Sequence, residues 1–250
     1  MILWYGSAGH ESAGKLTAWL GLQGVDAQCV CKKKRLPEPT GSEFVVAWGR
    51  KLPIQFARSL NQNAPMGDKL RELTTLMGAQ LPVPGVSLNP HAGWLARRNQ
   101  HHDGDDLLNQ ASGGDFYVEP ILTTYEFRVN VFGDKVFRTG LKQPKPGTQQ
   151  KIINSAVGPI PVRTGAHGWT WTYSQAPLDA TNTNRAPLRD MAVKAVKALN
   201  YDFGAVDIGY RPDGRWVVFE VNSAPALEGD DLARYGQLIL QYGKDKGYLA

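Results

Sequence analysis

Asp207-Ile-Gly-Tyr-Arg-Pro-Asp-Gly-Arg-Trp-Val-Val-Phe-Glu220-Val-Asn222-Ser-Ala-Pro-Ala-Leu-Glu-Gly229 combines two apolar strands, a Pro-Asp-Gly turn and a cluster of oxygen-bearing side chains. Ala205 to Tyr210 and Trp216 to Val221 are rich in β-branched and aromatic residues, and the turn between them specifies a hairpin. Side chains alternate along a strand, so Glu220 and Asn222 share a face. An antiparallel hairpin brings Asp207 nearly opposite Glu220, and two carboxylates and an amide oxygen then converge on one patch. Such an all-oxygen set suits Mg²⁺, which keeps waters and bridges phosphates. The competing reading is that Asp207 and Glu220 face solvent or pair with Arg211 or Arg215.

Working outward, a helix with an apolar stripe at Leu188, Met191, Ala192, Ala195, Val196 and Leu199 precedes the hairpin. A last helix, Leu232 to Tyr242, follows it. Residues 143–185 are rich in Gly, Pro, Asn, Gln and Thr and show little periodicity, which suggests a functional loop or lid. Before them, Glu126 to Phe132 and Val136-Phe137-Arg138 flank a turn at Gly133-Asp134-Lys135, and Phe116 to Leu122 forms another strand. Lys69 to Met77 is a helix whose Leu70, Leu73, Leu76 and Met77 mark a core face. Pro82 and Pro84 break it and keep Val83 to Leu88 extended. A short strand around Trp94-Leu95-Ala96 leads to a polar segment from Arg97 to Asp106. At the N-terminus, strands at Ile2 to Tyr5, Ala27 to Cys31 and Phe44 to Trp48 alternate with a helix carrying Leu16, Trp19 and Leu20. That order implies a small α/β unit with a partly parallel sheet. Gly6-Ser7-Ala8-Gly9 lacks the Gly-Lys-Ser/Thr ending of a phosphate loop and reads as a plain strand–helix turn.

The chain has 250 residues, 42% of them apolar and 20% charged, enough for one large domain or several packed subdomains. No run of eighteen apolar residues occurs, so no membrane span is expected, and the short apolar N-terminus does not resemble a signal peptide. Cytoplasmic localisation is the default. Cys29 and Cys31 lie two apart on a strand, a poor arrangement for a disulfide and too few ligands for zinc. The net charge of +5 is dense only at Lys32-Lys33-Lys34-Arg35. That run reads as a solvated turn or a patch for an acidic partner, so nucleic-acid binding is not expected from charge alone.

The segment Asp207–Gly229 resembles the C-terminal signature of the ATP-grasp ligases, most of all the ribosomal-protein glutamate ligase branch. Further similarities lie upstream in the matching order. Lys69-Leu70-Arg71 with Leu81-Pro-Val-Pro-Gly85 resembles the family's helix and following strand. Phe116-Tyr117-Val118-Glu119-Pro120-Ile121 matches its adenine-reading hinge, and Glu126-Phe127-Arg128 with Val131-Phe-Gly-Asp-Lys-Val136 matches its strand pair. Together they cover about residues 60 to 242. The resemblance implies an α/β (α+β) ATP-grasp fold, two α+β subdomains gripping ATP behind a short N-terminal domain. The implied divisions are 1–60 for the N-terminal domain, 61–118 for the central subdomain with its phosphate flap, and 119–250 for the C-terminal subdomain.

The implied cofactors are ATP and Mg²⁺, with Mn²⁺ as a substitute, the metal held by Asp207, Glu220 and Asn222. Nucleotide contacts are implied for Lys69, Arg97, Tyr117, Val118, Glu119, Ile121 and Asn154, with Arg163 an alternative to Asn154. Arg128 and Lys142 are the implied catalytic residues. The implied reaction joins a carboxylate to an amine through an acyl-phosphate; a kinase, a non-catalytic ATP-binding protein and a basic nucleic-acid-binding protein using Trp169 and Trp171 are the alternatives. The chain departs from the family at the flap, where Arg97-Arg98 replaces the usual lysine and His101-His102 follows.

Overall fold

The apolar runs at the N-terminus become buried parallel strands. In the computed structural model, which describes residues 1–5, 10–31, 41–62, 68–99, 114–227 and 229–249, the chain forms two units. One comprises Met1–Met66, Asn200–Ala205 and Asn222–Ala250, and the other Gly67–Leu199 and Val206–Val221.

In the first unit, β1 (Ile2–Tyr5), β2 (Gln28–Cys31), β3 (Phe44–Trp48) and β4 (Arg58–Leu60) form a sheet in the order β2-β1-β3-β4. Every pairing is parallel, so the sheet is fully rather than partly parallel. The strand β4 was not expected; it is only three residues long, two of them polar, too brief for a periodic signal. Each residue of β3 is buried, as a strand covered on both faces must be. Helix α1 (His10–Leu22) buries Ala13, Leu16 and Leu20. Trp48 packs against Phe203 at 5.2 Å and edge-on to Tyr235 at 5.6 Å. Asn61, in a left-handed conformation, accepts from the N–H groups of Asp202 and Phe203 through Oδ1, at 2.6 and 3.2 Å. Its Nδ2 donates to the Phe203 carbonyl. A buried amide thus satisfies backbone groups that would otherwise be orphaned.

The second unit begins with α2 (Lys69–Gly78), capped by Asp68, whose carboxylate accepts from the Arg71 N–H. Asn99 completes the cap by accepting from Lys69 N–H through its carbonyl and from Leu70 N–H through its side chain. The core face of α2 differs from expectation at one end. Leu73 and Leu76 are buried, but Met77 is 44% exposed and Glu72 is buried instead. Strands β5 (Val86–Ser87), β6 (Leu95–Arg97) and β7 (Phe116–Val118) make a small antiparallel sheet in the order β5-β7-β6.

The larger sheet runs β12-β9-β8-β13-β14, built from β8 (Tyr125–Phe132), β9 (Lys135–Pro144), β12 (Trp169–Thr172), β13 (Phe203–Tyr210) and β14 (Trp216–Asn222). The expected long loop at 143–185 is therefore largely structured. It contains a hairpin, β10 (Ile152–Ser155) with β11 (Gly158–Pro161), then β12 and the short helix α3 (Gln175–Asp179). Helix α4 (Ala186–Ala198) packs on β8 and β9 and carries the expected stripe, Leu188, Ala192, Ala195 and Val196 all buried. Phe127, Val129, Val131 and Leu141 are buried along these two strands. Helix α5 (Asp230–Asp245) closes the first unit. No helix among the described residues is long and apolar enough to cross a membrane.

Gly209 on β13 makes a close approach that tests this packing. A Cβ there would lie 2.5 Å from Thr123 Cγ2 and 2.6 Å from the Phe219 ring. Gly209→Ala is expected to lower stability by about 1–3 kcal/mol through overpacking, measured by urea denaturation.

Candidate active site

One face of the five-stranded sheet carries the charge. Arg128 on β8 sits opposite Gly140 on β9, and Phe127 opposite Leu141. One step along that antiparallel register come Glu126 and Lys142, whose side chains pair at 3.3 Å. Lys142 in turn lies opposite Trp171 on β12. Strand alternation therefore places Glu126 and Arg128 on the same face, away from Phe127 and Val129.

Arg128 reaches across to β13 and grips Asp207 with both arms of its fork. Nε donates to Oδ1 and Nη2 to Oδ2, each at 2.8 Å. The guanidinium also stacks on Trp171, 4.5 Å from the ring centroid, and Lys142 Nζ lies at the same distance from that ring. Although burial alone would favour the neutral form, Asp207 holds the Arg128 pKa well above its ordinary value, with Glu220 and Tyr173 adding to it. Asp207 is only 6% exposed, so neither a solvent-facing carboxylate nor a pair with Arg211 or Arg215 describes it. Those two arginines pair with Asp213 in the turn.

Glu220 on β14 forms the second pair, accepting from Lys69 Nζ at 2.5 Å. The charges of Lys69, Arg97 and Arg128 outweigh burial and hold the Glu220 carboxyl far below the usual carboxylate range. Burial opposes charging of Lys69, but Glu220 and Glu72 together raise its pKa. Glu72, one helical turn from Lys69, is pushed up to about 7, burial being the largest cause. Arg97 on β6 acts electrostatically on Glu72, Lys69 and Glu220, which places it beside the same group.

Thus Lys69, Arg97, Arg128, Lys142, Asp207 and Glu220 are brought together. Asn222 is the last residue of β14 and follows the point where the chain passes into the other unit. Tyr117 and Val118 are buried in β7, and Ile121 lies just beyond it, half-buried. Glu119 fastens that segment to Gly85: its N–H donates to the Gly85 carbonyl at 2.8 Å, and its carboxylate accepts from the Gly85 N–H at 3.1 Å. Asn154 is exposed on β10 opposite Pro159, in a hairpin whose Ala156 N–H meets the Gly93 carbonyl. Its neighbour in the same sequence region, Arg163, is the residue that joins the charged face. Arg163 Nη1 lies 3.7 Å from Glu126, and Nη2 donates to the Thr123 carbonyl at 2.9 Å. Gly6–Gly9, Lys32–Arg35, His101 and His102 lie outside the described residues.

Glu72, Glu126, Trp171 and Tyr173 join the charged face without having been expected there: Glu126 was read only as part of a strand motif and Trp171 only for the nucleic-acid alternative. The Trp169-Thr-Trp-Thr172 alternation was the available signal for β12, and the i,i+3 spacing of Lys69 and Glu72 for the other. Trp169, Trp171 and Tyr173 each cover a cation: Arg163 at 5.0 Å, Arg128 and Lys142 at 4.5 Å, and Arg138 at 3.8 Å. These rings are engaged with the protein's own cations, which disfavours a role in stacking nucleic-acid bases. Trp171→Ala is expected to loosen Arg128 and Lys142 together. A cation–π contact of roughly 1 kcal/mol each predicts a loss of about tenfold or more in kcat/KM with a small change in Tm.

The donor set fits a hard divalent ion that draws part of its coordination from elsewhere. Among the described residues no group of three or more Asp, Glu, His or Cys side chains gathers as a complete cage. Two carboxylates close enough for Arg128 to feel both instead suit Mg²⁺, which binds through one or two carboxylates plus phosphates and water.

The sequence matches no protein-family model and no curated protein. Its fold is similar to that of the ATP-grasp ligase PsnB complexed with minimal precursor, at TM-score 0.62 and 13% identity, over 96% of this chain and 98% of that one. The macrocyclase MdnC of Microcystis aeruginosa, bound with precursor peptide MdnA, aligns at TM-score 0.57 and 13% identity over 98% and 100% of the two chains. D-alanine–D-alanine ligase of Bacillus anthracis aligns at TM-score 0.57 and 12% identity over 98% and 99%. These neighbours do not single out the ribosomal-protein glutamate ligase branch. What they share with this chain over nearly its full length is the architecture, and the chain has the ATP-grasp fold.

Proposed function

We propose that this protein is an ATP-dependent carboxylate–amine ligase. The observation that carries the reading is the paired arrangement of Arg128 with Asp207 and Lys69 with Glu220 on one unit of an ATP-grasp fold. A free carboxylate is a poor acyl donor because oxide is a poor leaving group. Its oxygen attacks the γ-phosphorus of ATP, the bond to the β,γ-bridging oxygen breaks, and ADP leaves. The amine then attacks the acyl carbon, loses a proton and expels inorganic phosphate.

Each residue has a task in that sequence. Asp207 and Glu220, with Asn222 next along the strand, would hold Mg²⁺ or Mn²⁺. The ion's contribution is neutralisation of the phosphate charge. Lys69 and Arg97 supply positive charge beside the phosphates, Arg97 as a planar fork where a lysine would act as a point charge. Arg128 meets the acyl-phosphate and the tetrahedral oxyanion, with Lys142 beside it. The Tyr117–Ile121 segment, fixed by Glu119, offers backbone groups for adenine. Asn154 is proposed as a further nucleotide contact. The reaction is placed in the cytoplasm, with the divisions at 60 and 118 marking functional subdomains.

PsnB and MdnC have structures in complex with precursors, and PsnB complexes include Mg and ADP, or AMPPNP. Peptides bearing a carboxylate and an amine are therefore the first substrates to try. ATP, Mg²⁺ and such peptides should yield ADP, phosphate and a product lighter than its components by one water, read by mass spectrometry. A stable phosphorylated product without condensation would identify a kinase instead. ATP binding by calorimetry with no turnover of any pair would favour a non-catalytic module, and no ATP binding would overturn the reading.

A further inference from the structure

We infer that Glu72 is a positioning residue that holds the end of β14 in place for cation binding; the inference rests on the ligase reading above. Strand β14 is the last strand of its sheet among the described residues. Two of its N–H groups find partners on elements that precede the sheet in sequence. Val218 N–H donates to the Pro82 carbonyl at 2.7 Å, and Val221 N–H donates to Glu72 Oε1 at 2.5 Å. The second contact is the unusual one, because the acceptor is a carboxylate that is only 6% exposed.

The choice of amide gives the contact its meaning. Val221 is the residue between Glu220 and Asn222, so holding its N–H fixes the Glu220–Val221 peptide plane, from which both proposed ligands extend. Helix α2 makes this link and the Lys69–Glu220 pair from the same face, since Lys69 and Glu72 are three residues apart. Asp68 and Asn99 hold the first turn of that helix, so the anchor is itself anchored. An apolar residue at position 72 would fill the space equally well and leave Val221 N–H without an acceptor. Only a side chain with an oxygen at that reach sets the direction of the strand end. Groups that orient ligands in this way typically change metal affinity 10- to 100-fold when removed.

The test compares wild type with Glu72→Gln, which keeps an acceptor oxygen, and Glu72→Ala, which removes it. Amide exchange at Val221, measured on the protein alone, should accelerate at least tenfold in Glu72→Ala and stay within about threefold of wild type in Glu72→Gln. Calorimetric titration of ATP should then show a Mg²⁺ requirement raised about tenfold in Glu72→Ala. Binding of ATP in EDTA should be unchanged in both variants, which a general loss of structure would not allow. Equal weakening with and without Mg²⁺, or an unaltered Mg²⁺ requirement in Glu72→Ala, overturns the inference. A wild-type protein that binds no ATP defeats the ligase reading instead, and unaltered Val221 exchange in Glu72→Ala defeats the positioning role on its own.

Discussion

Arg128→Met is expected to destabilise the second unit by about 3–5 kcal/mol and to abolish measurable ligation. Asp207 is 6% exposed and receives both arms of the Arg128 fork, so the substitution leaves a buried carboxylate without its cation. Breaking a buried pair from one side costs more than the pair contributed, because the remaining charge stays desolvated. Arg128→Lys should cost less in stability but recover little activity: an ammonium replaces two parallel hydrogen bonds with a single point charge and sits less well on Trp171. The double variant Arg128→Met/Asp207→Asn removes both charges and should regain a large part of the lost stability in urea denaturation. Because the double variant also loses Asp207, a proposed metal ligand, its kcat stays down by about 10²–10³-fold or more while its stability recovers. Recovery of stability and activity together would overturn both the oxyanion role of Arg128 and the metal role of Asp207.

The hairpin that dominates the charged face was legible because its signals are local. β13 and β14 are apolar, alternate regularly and are joined by Pro-Asp-Gly, and nothing distant is needed to read them. The helix bearing Lys69 was equally legible from its leucines. What the sequence concealed were the partners. The Arg128–Asp207 pair spans 79 positions and Lys69–Glu220 spans 151, so no periodicity links them. Glu72 is hidden for a further reason: a glutamate on an amphipathic helix reads as solvent-facing, and only its tertiary contact with the Val221 amide on β14 marks it as buried. Met77 took the core position on paper and lies 44% exposed in the structure for the converse reason, since an apolar residue at a helix end need not be covered. Strand β12 was lost among Gly, Pro and Asn residues. Its four-residue alternation is short, and its place beside β9 is a tertiary fact.

Glu220→Gln combined with Glu72→Gln should cost more stability than the two single changes summed. Lys69 lies between these carboxylates, and both raise its pKa. In Glu220→Gln the buried ammonium still has Glu72, which loses a like-charged neighbour and becomes easier to ionise. The single variant is therefore expected to lose about 1–3 kcal/mol, the worth of one hydrogen bond between charged groups, while metal-dependent activity disappears. Glu72→Gln alone retains Glu220 as the partner and should be milder still. Removing both leaves Lys69 facing Arg97 with no carboxylate from either residue, and an excess of about 1–3 kcal/mol over additivity is expected in the thermodynamic cycle. The pH dependence gives an independent check, in a different pH range for each protein. In wild type, Glu220 is held below its unfolded value, so its stabilising contribution is present above about pH 4.5 and is lost as the solution is acidified. In the double variant, Lys69 is buried without that support and its folded pKa drops below the unfolded one. The unfolded chain then binds the extra proton, so stability should rise as pH is increased from 7 toward 10. A flat profile over that interval, together with strictly additive single effects, would mean that Lys69 draws its compensation from outside this pair of carboxylates.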